Sequence, residues 1–158
     1  MSFVLPTGLL GILVDGEDTA HSDDDLRHVH GAMKRIAAQS NCTLHEVRTS
    51  RLYNTYEVWR LHAGQTPTTC LLVQHFVKVW TVVDEPPAGL LSDDAGIVDT
   101  SLDGEAAFGL LGWTRLTSAM AAAPLEEATM ALLTDSERDE IRYWEAQNVG
   151  QALFNDWD

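Results

Sequence analysis

Two kinds of hydrophobic pattern occupy the first forty residues of the chain. The run from Leu9 to Asp15 is apolar without interruption and has the length of a strand buried on both faces. Apolar residues then recur at helical spacing, at Leu26, Val29, Met33, Ile36 and Ala37. Ser22 is the predicted N-cap of this helix, with Asp25 three residues on as in a capping box. Asn41 tolerates a left-handed backbone, so the helix should end near Ser40-Asn41.

Three strand-like segments follow the predicted helix. Residues 43–49 alternate moderately, residues 53–62 are rich in aromatic side chains, and residues 69–83 are apolar on both faces. The last segment is either one long bent strand or two strands broken near Gln74-His75. The connections are too short for crossovers, so the pattern predicts β-α-β-β-β with a mostly antiparallel sheet.

The hydrophobic pattern of the second half of the chain differs from that of the first half. Pro86-Pro87 ends the sheet region, and residues 86–112 predict an acidic loop with room for one short strand at Gly96–Val98. From Trp113 onward the pattern is helical, with a capping box at Thr134 and another helix start at Asn148. Strands first and helices last predict an α+β fold. We expect a single domain, 1–158, in which residues 1–85 form the sheet and helix and residues 113–158 form a cluster of short helices packed on the sheet.

Composition narrows the class of protein. The chain has 158 residues, 45% of them hydrophobic and 22% charged, as expected for one globular domain. Cys42 and Cys70 make no disulfide framework, which favours a reducing compartment and predicts a cytoplasmic protein. The N-terminal stretch lacks the basic region and cleavage site of a signal peptide. No apolar run reaches the roughly 18 residues needed to cross a membrane.

Charge is the strongest global feature. The chain has 24 acidic and 10 basic residues, for a net charge of −14. The acids concentrate in residues 15–25 and 84–105, which hold no Lys or Arg, whereas residues 27–78 are basic on balance. Such a surface repels nucleic acid and anionic lipid and favours basic partners. The alternative is a solvated acidic surface that only maintains solubility.

Motifs that would carry chemistry are absent from the sequence. His28 and His30 lie near acidic residues, but they project about 200° apart on a helix and cannot share a metal ion. His75 on an apolar strand face fits a hydrogen-bonded core residue better than a catalyst. Arginines and aromatic rings alternate through residues 48–60, a pattern that can bind single-stranded nucleic acid, although the net charge opposes it. We expect no metal and no cofactor.

The end of the chain is unusually aromatic, with Tyr143, Trp144, Phe154 and Trp157. Val149, Leu153, Phe154 and Trp157 fall on one helical stripe, and Ile141 and Trp144 lie three apart on the preceding helix. Both helices therefore have a face to bury. Packing of this tail on its own domain is favoured over a role as a loose partner-binding motif.

These observations favour a non-enzymatic acidic interaction protein. It would be an inhibitor or immunity-type protein that covers a basic site, or an accessory subunit of a larger assembly. The candidate contact residues are Asp15, Glu17, Asp18, Asp93, Asp94, Asp99, Asp103, Glu105 and Trp157. The alternative is a small enzyme or ligand-binding domain with a pocket formed by His75, Cys70 and His62. A homodimer built on the aromatic strand 53–62 is a third interpretation.

Overall fold

The computed structural model describes residues 3–9, 21–48, 55–87 and 96–155. The predicted strand at Leu9–Asp15 lies outside the described residues except for Leu9. The elements that the structure describes, in chain order, are α1 (Asp23–Gln39), β1 (Thr43–Arg48), β2 (Tyr56–Ala63), β3 (Thr66–Gln74), β4 (Val79–Val83), α2 (Ala106–Leu110), β5 (Thr114–Arg115), α3 (Ser118–Ala122), α4 (Asp135–Tyr143) and α5 (Val149–Leu153). The fold is α+β, as the sequence predicts.

The five strands form one sheet in the order β1-β2-β3-β4-β5. Strands β1 to β4 are antiparallel neighbours, and β5 runs parallel to β4. The apolar segment 69–83 is two strands, because the chain turns immediately after Gln74. The Gln74 Oε1 atom accepts the N–H groups of Phe76 and Val77, at 2.6 and 2.8 Å, and so stabilises this turn.

Strand β2 lies inside the sheet. It is hydrogen-bonded to β1 along one edge and to β3 along the other. Its described residues therefore offer no free edge on which a second copy could extend the sheet. The sequence alone could not show this, because the order of strands in a sheet depends on long-range pairing.

Helix α1 forms as its capping residues and spacing predict. The Ser22 side chain accepts the N–H of Asp25, and Asn41 takes a left-handed φ of 55° just beyond the end of the helix. The buried residues of the helix are Val29, Ala32, Met33, Ile36 and Ala37. These side chains reach one face of the sheet.

The sheet is the middle layer of three. One face packs against α1 and α2 through side chains that include Leu71, Trp80 and Phe108. The opposite face packs against the C-terminal helices and residues 3–9 through side chains that include Tyr56 and Leu72. Strand β4 is buried along its whole length, as expected for a strand covered on both sides.

Two segments that the sequence predicts as helical take other forms. Thr114–Arg115 is strand β5 because the chain bonds here along β4. The Thr114 N–H donates to the carbonyl of Lys78, just before β4, at 2.9 Å, and the Leu116 N–H donates to Trp80 O at 2.8 Å. Residues 127–132 form turns rather than a helix. In the first case, satisfying the backbone groups along the edge of β4 outweighs local helix propensity.

The C-terminal residues pack onto their own domain as far as Asn155, the last residue that the structure describes. Phe154 is fully buried, and its ring meets Tyr56 edge-on with centroids 5.5 Å apart. The Thr55 hydroxyl donates to Leu153 O at 3.0 Å, and the Asn155 carbonyl accepts the Thr55 N–H at 3.0 Å. The predicted packing of the tail on its own domain is thus confirmed for residues up to Asn155, whereas Trp157 lies outside the described residues.

We expect the two aromatic residues Phe154 and Tyr143 to differ sharply in their contribution to stability. Replacing the buried ring in Phe154→Ala should lower the free energy of unfolding by about 3–5 kcal/mol. Tyr143 is 76% exposed, so Tyr143→Ala should change it by no more than about 0.5 kcal/mol. Urea unfolding of both variants makes the comparison. A loss of less than about 1 kcal/mol for Phe154→Ala would show that its ring is not part of the core.

Candidate functional site

Most of the acidic residues predicted to bind a partner lie outside the described residues. These are Asp15, Glu17, Asp18, Asp93 and Asp94, and the same holds for Trp157. Asp99, Asp103 and Glu105 are described, and the structure gives two of them an internal role.

Asp99 holds the start of helix α3. Its carboxylate accepts the backbone N–H of Ser118 at 2.8 Å and also the Ser118 hydroxyl. These bonds favour the ionised form and lower the pKa of Asp99 below its ordinary value. A carboxylate engaged in this way is less available to a partner, although the residue is exposed.

Glu105 belongs to a network centred on Arg115. It accepts the Leu102 N–H and the Arg115 guanidinium, each at 2.8 Å. Arg115 also donates to Thr100 O at 2.9 Å and lies over the Trp80 ring, 5.4 Å from its centroid. The network fixes the segment that leads into α2. Asp103 is exposed on this segment and stays available for an external contact.

His75, Cys70 and His62 are not brought together. Cys70 is fully buried opposite Arg60, and burial raises the pKa of its thiol. His62 pairs with Pro67 near the other end of β3, where its ring lies 4.2 Å from that of His45. His75 lies in the turn after β3 and is buried, and its backbone N–H donates to Thr55 O at 2.7 Å.

A partly buried acid–histidine pair lies between α1 and strand β2. Glu57 on β2 is buried, and its Oε1 atom lies 2.9 Å from Nε2 of His30 on α1. The His30 ring also lies against Trp59, with centroids 5.4 Å apart. The pair joins the helix to the sheet. The clue was His30 at the border of the apolar face of α1, but its partner could be found only from the packing.

The predicted alternation of arginines and rings does not form a stacking surface in the described part of strand β2. Tyr56 is fully buried against Phe154. Arg60 is mostly covered and bonds Glu85 at 3.0 Å and the Asp84 carbonyl at 3.0 Å. Single-stranded nucleic acid needs exposed rings beside free cations, which these residues do not supply.

Helix α4 presents an exposed acidic face that sequence reasoning missed. Glu137 and Ile141 on the opposite side of the helix are buried. The outer residues follow helical spacing, and we call them the α4 outer face: Asp135, Ser136, Asp139, Glu140 and Tyr143. Tyr143 is 76% exposed, and the Asp139 side chain is 75% exposed. The available signal was that Tyr143 falls off the stripe shared by Ile141 and Trp144.

Contacts beside Tyr143 order this face. The Trp144 indole N–H donates to Glu140 at 3.2 Å, and the two rings of Tyr143 and Trp144 meet edge-on at 5.2 Å. Arg142 pairs with Asp139 at 3.1 Å along the edge of the face. An exposed tyrosine is thus held beside two carboxylates on a capped helix.

Within the described residues, no three metal-ligating side chains converge on a common point. None of the described helices combines the length and apolar character needed to cross a bilayer. No family model matches the chain, and neither the curated proteins nor the solved structures contain a significant match to it.

We expect Cys70 to be chemically inert in the folded protein. Its thiol is buried with a raised pKa, so little of the reactive thiolate forms near neutral pH. Cys42 is partly exposed. An aromatic disulfide reagent should therefore modify a Cys70→Ser variant at Cys42, and leave a Cys42→Ser variant unmodified until urea is added. Rapid labelling of the folded Cys42→Ser variant would instead show that the Cys70 thiol is accessible and reactive.

His21 should make stability depend on pH. Its Nε2–H donates to Gln74 O at 3.1 Å, its ring lies 4.9 Å from that of Trp113, and burial lowers its pKa below 6.5. The unfolded state then binds the proton more readily, so this contribution is present above about pH 6.5 and is lost as the pH falls toward the folded pKa.

The matching test is urea unfolding between pH 7 and pH 5. His21→Gln should lose less stability over this interval than the unaltered protein. His28→Gln, at an exposed position on α1, is the control and should behave like the unaltered protein. An identical pH profile for His21→Gln and the unaltered protein would contradict the assignment.

Proposed function

We propose that this protein is a non-enzymatic, acidic interaction protein that binds a basic protein. It acts either as an inhibitor or immunity-type protein that covers a basic site, or as an accessory subunit of a larger assembly. The observation that supports this most is the α4 outer face, where the exposed Tyr143 lies beside the carboxylates of Asp139 and Glu140. This face adds to the acidic segments 15–25 and 84–105. Asp103 is one of the exposed acidic residues that the structure describes in the second segment.

The arrangement of cations strengthens the acidity of the surface. Arg60, Arg115 and Arg138 have mostly buried side chains, and each pairs with a glutamate at 2.7–3.0 Å. These three positive charges are therefore already paired with glutamates of the same chain. The exposed acidic residues of α4, Asp135, Asp139 and Glu140, add to a chain whose net charge is −14.

Charge and ring surface serve different steps of binding. A negative surface speeds encounter with a positive partner and disfavours acidic competitors. Most of the binding free energy in protein interfaces comes from a few anchors, among which tyrosine is frequent. Tyr143 fits this role, because it is exposed while its neighbours Trp144 and Glu140 hold its surroundings in place.

The alternative of a small enzyme with a His/Cys pocket has less support. Cys70 and His75 are both buried, and they lie in different parts of the sheet and its turns. A nucleophile needs an accessible thiolate beside a base, and that arrangement is not present at Cys70.

The first test identifies the partner and then measures its association. A pull-down from native lysate at low and high salt, read by mass spectrometry, should yield a stoichiometric basic protein that is released at high salt. The purified pair should then show slower association at low salt for the double variant Asp139→Asn/Glu140→Gln. Tyr143→Ala should raise the dissociation rate at least about tenfold.

The matched control is Asp23→Asn/Asp24→Asn, which removes the same charge from exposed positions on α1. It should slow association less than the α4 pair does. Equal slowing by the two double variants would show that association depends only on the total charge of the protein. It would contradict the assignment of the α4 outer face as the contact surface. Recovery of the bait alone at both salt concentrations would contradict the proposed function itself.

A further inference from the structure

A groove lies between α1 and α2, on the side of the sheet opposite to α4. Its volume is about 310 Å³. Its lining consists of His28, Gly31, Ala32, Arg35, Ala107, Leu110 and Leu111. The proposed contact with a basic partner does not involve these residues, so the groove needs an explanation of its own.

Gly31 in the middle of α1 is locally unfavourable. A glycine inside a helix costs roughly 0.5–1 kcal/mol relative to alanine. Packing does not require it, because a Cβ atom added at Gly31 would meet no other atom within 4 Å. The missing side chain has one structural consequence, which is that the groove stays open along the helix. A local cost without a packing benefit is typical of functional positions.

The wall formed by α2 is apolar and exposed. Leu110 is 85% exposed, although it lies in a helix whose Phe108 is fully buried. Leu111 and Ala107 continue this wall and are partly buried. The groove therefore presents apolar surface to solvent beside the open backbone at Gly31.

The ionisable residues of the lining are both bases. Arg35 and His28 are exposed, no carboxylate lines the groove, and neither base has an ion-pair partner among the residues that the structure describes. By contrast, exposed arginines on two other helix surfaces pair with aspartates: Arg27 with Asp24, and Arg142 with Asp139. A free guanidinium beside apolar surface is suited to a carboxylate.

We propose that the α1–α2 groove binds a small organic anion with an apolar body, of the kind represented by a medium-chain carboxylate. The carboxylate would bind Arg35, and the chain would lie over Gly31 against Leu110 and Leu111. The volume is at the lower end of the range for small-molecule sites. The α2 wall has only five residues, about 7.5 Å of helix, which is short for docking a partner helix.

The test uses octanoate as the probe and the full chain, followed by amide chemical shifts in NMR. Octanoate should cause saturable shifts at Gly31, Ala107 and Leu111, with a Kd of about 1 mM, as its small size allows. Octylammonium has the same chain with the opposite charge and should not shift these amides. This comparison is demanding, because a protein of net charge −14 attracts cations in general.

Two variants locate the site. Arg35→Ala should weaken octanoate binding at least fivefold, whereas Arg142→Ala, which removes another exposed helical arginine, should leave it unchanged. Gly31→Leu should fill the groove and abolish the shifts, yet it should raise the melting temperature, because the added side chain favours the helix and meets open space.

The proposal is overturned by any one of four results, of which the first three concern the ligands and the arginine variants. These are the absence of saturable shifts up to 10 mM octanoate, equal binding of octylammonium, and equal effects of Arg35→Ala and Arg142→Ala. Unchanged octanoate binding in a folded Gly31→Leu protein would place the ligand elsewhere. These outcomes are independent of whether a basic partner is captured.

Discussion

Strands β3 and β4 are apolar on both faces, so the sheet needs a cover on each side. Trp80 meets Phe108 on one face, with the rings stacked 4.1 Å apart, and Tyr56 meets Phe154 on the other. Helices α1 and α2 cover one face; α1 precedes the first strand in the chain and α2 follows β4. Residues 3–9 and the C-terminal helices cover the other face. Burial on both faces is the main stabilising term, and it requires the last helix to return to the sheet.

Buried and partly buried carboxylates tie these layers together. Glu137 accepts the N–H groups of Gly8 and Thr134, which joins the N-terminal segment to the capped start of α4. Glu57 joins α1 to β2, and Glu105 joins the loop before α2 to β5. Losing the hydrogen bonds of such covered carboxylates would lower the free energy of unfolding. These acids therefore contribute to stability rather than to a binding surface. Net charge alone therefore overstates how many acids are available to a partner.

Local signals in the sequence predicted local structure well. Ser22, Thr134 and Asn148 were recognisable as helix starts, because capping depends on residues only three positions apart. The sequence could not show β5, since a two-residue strand exists only through its pairing with β4. The roles of Asp99 and Glu105 were hidden for the same reason: their partners, Ser118 and Arg115, are distant in the chain. The sequence shows that Tyr143 is aromatic, but its exposure depends on which side of α4 packs against the domain.

The two proposed surfaces lie on opposite sides of the sheet, and this separation lets them act independently. The α1–α2 groove belongs to one helical layer and the α4 outer face to the other. Packed layers are about 10 Å apart, so the surfaces are separated by roughly 20 Å. That distance exceeds the Debye length of about 8 Å at physiological ionic strength. The carboxylates of α4 are therefore screened from Arg35, and an anion in the groove need not oppose a basic partner across the molecule.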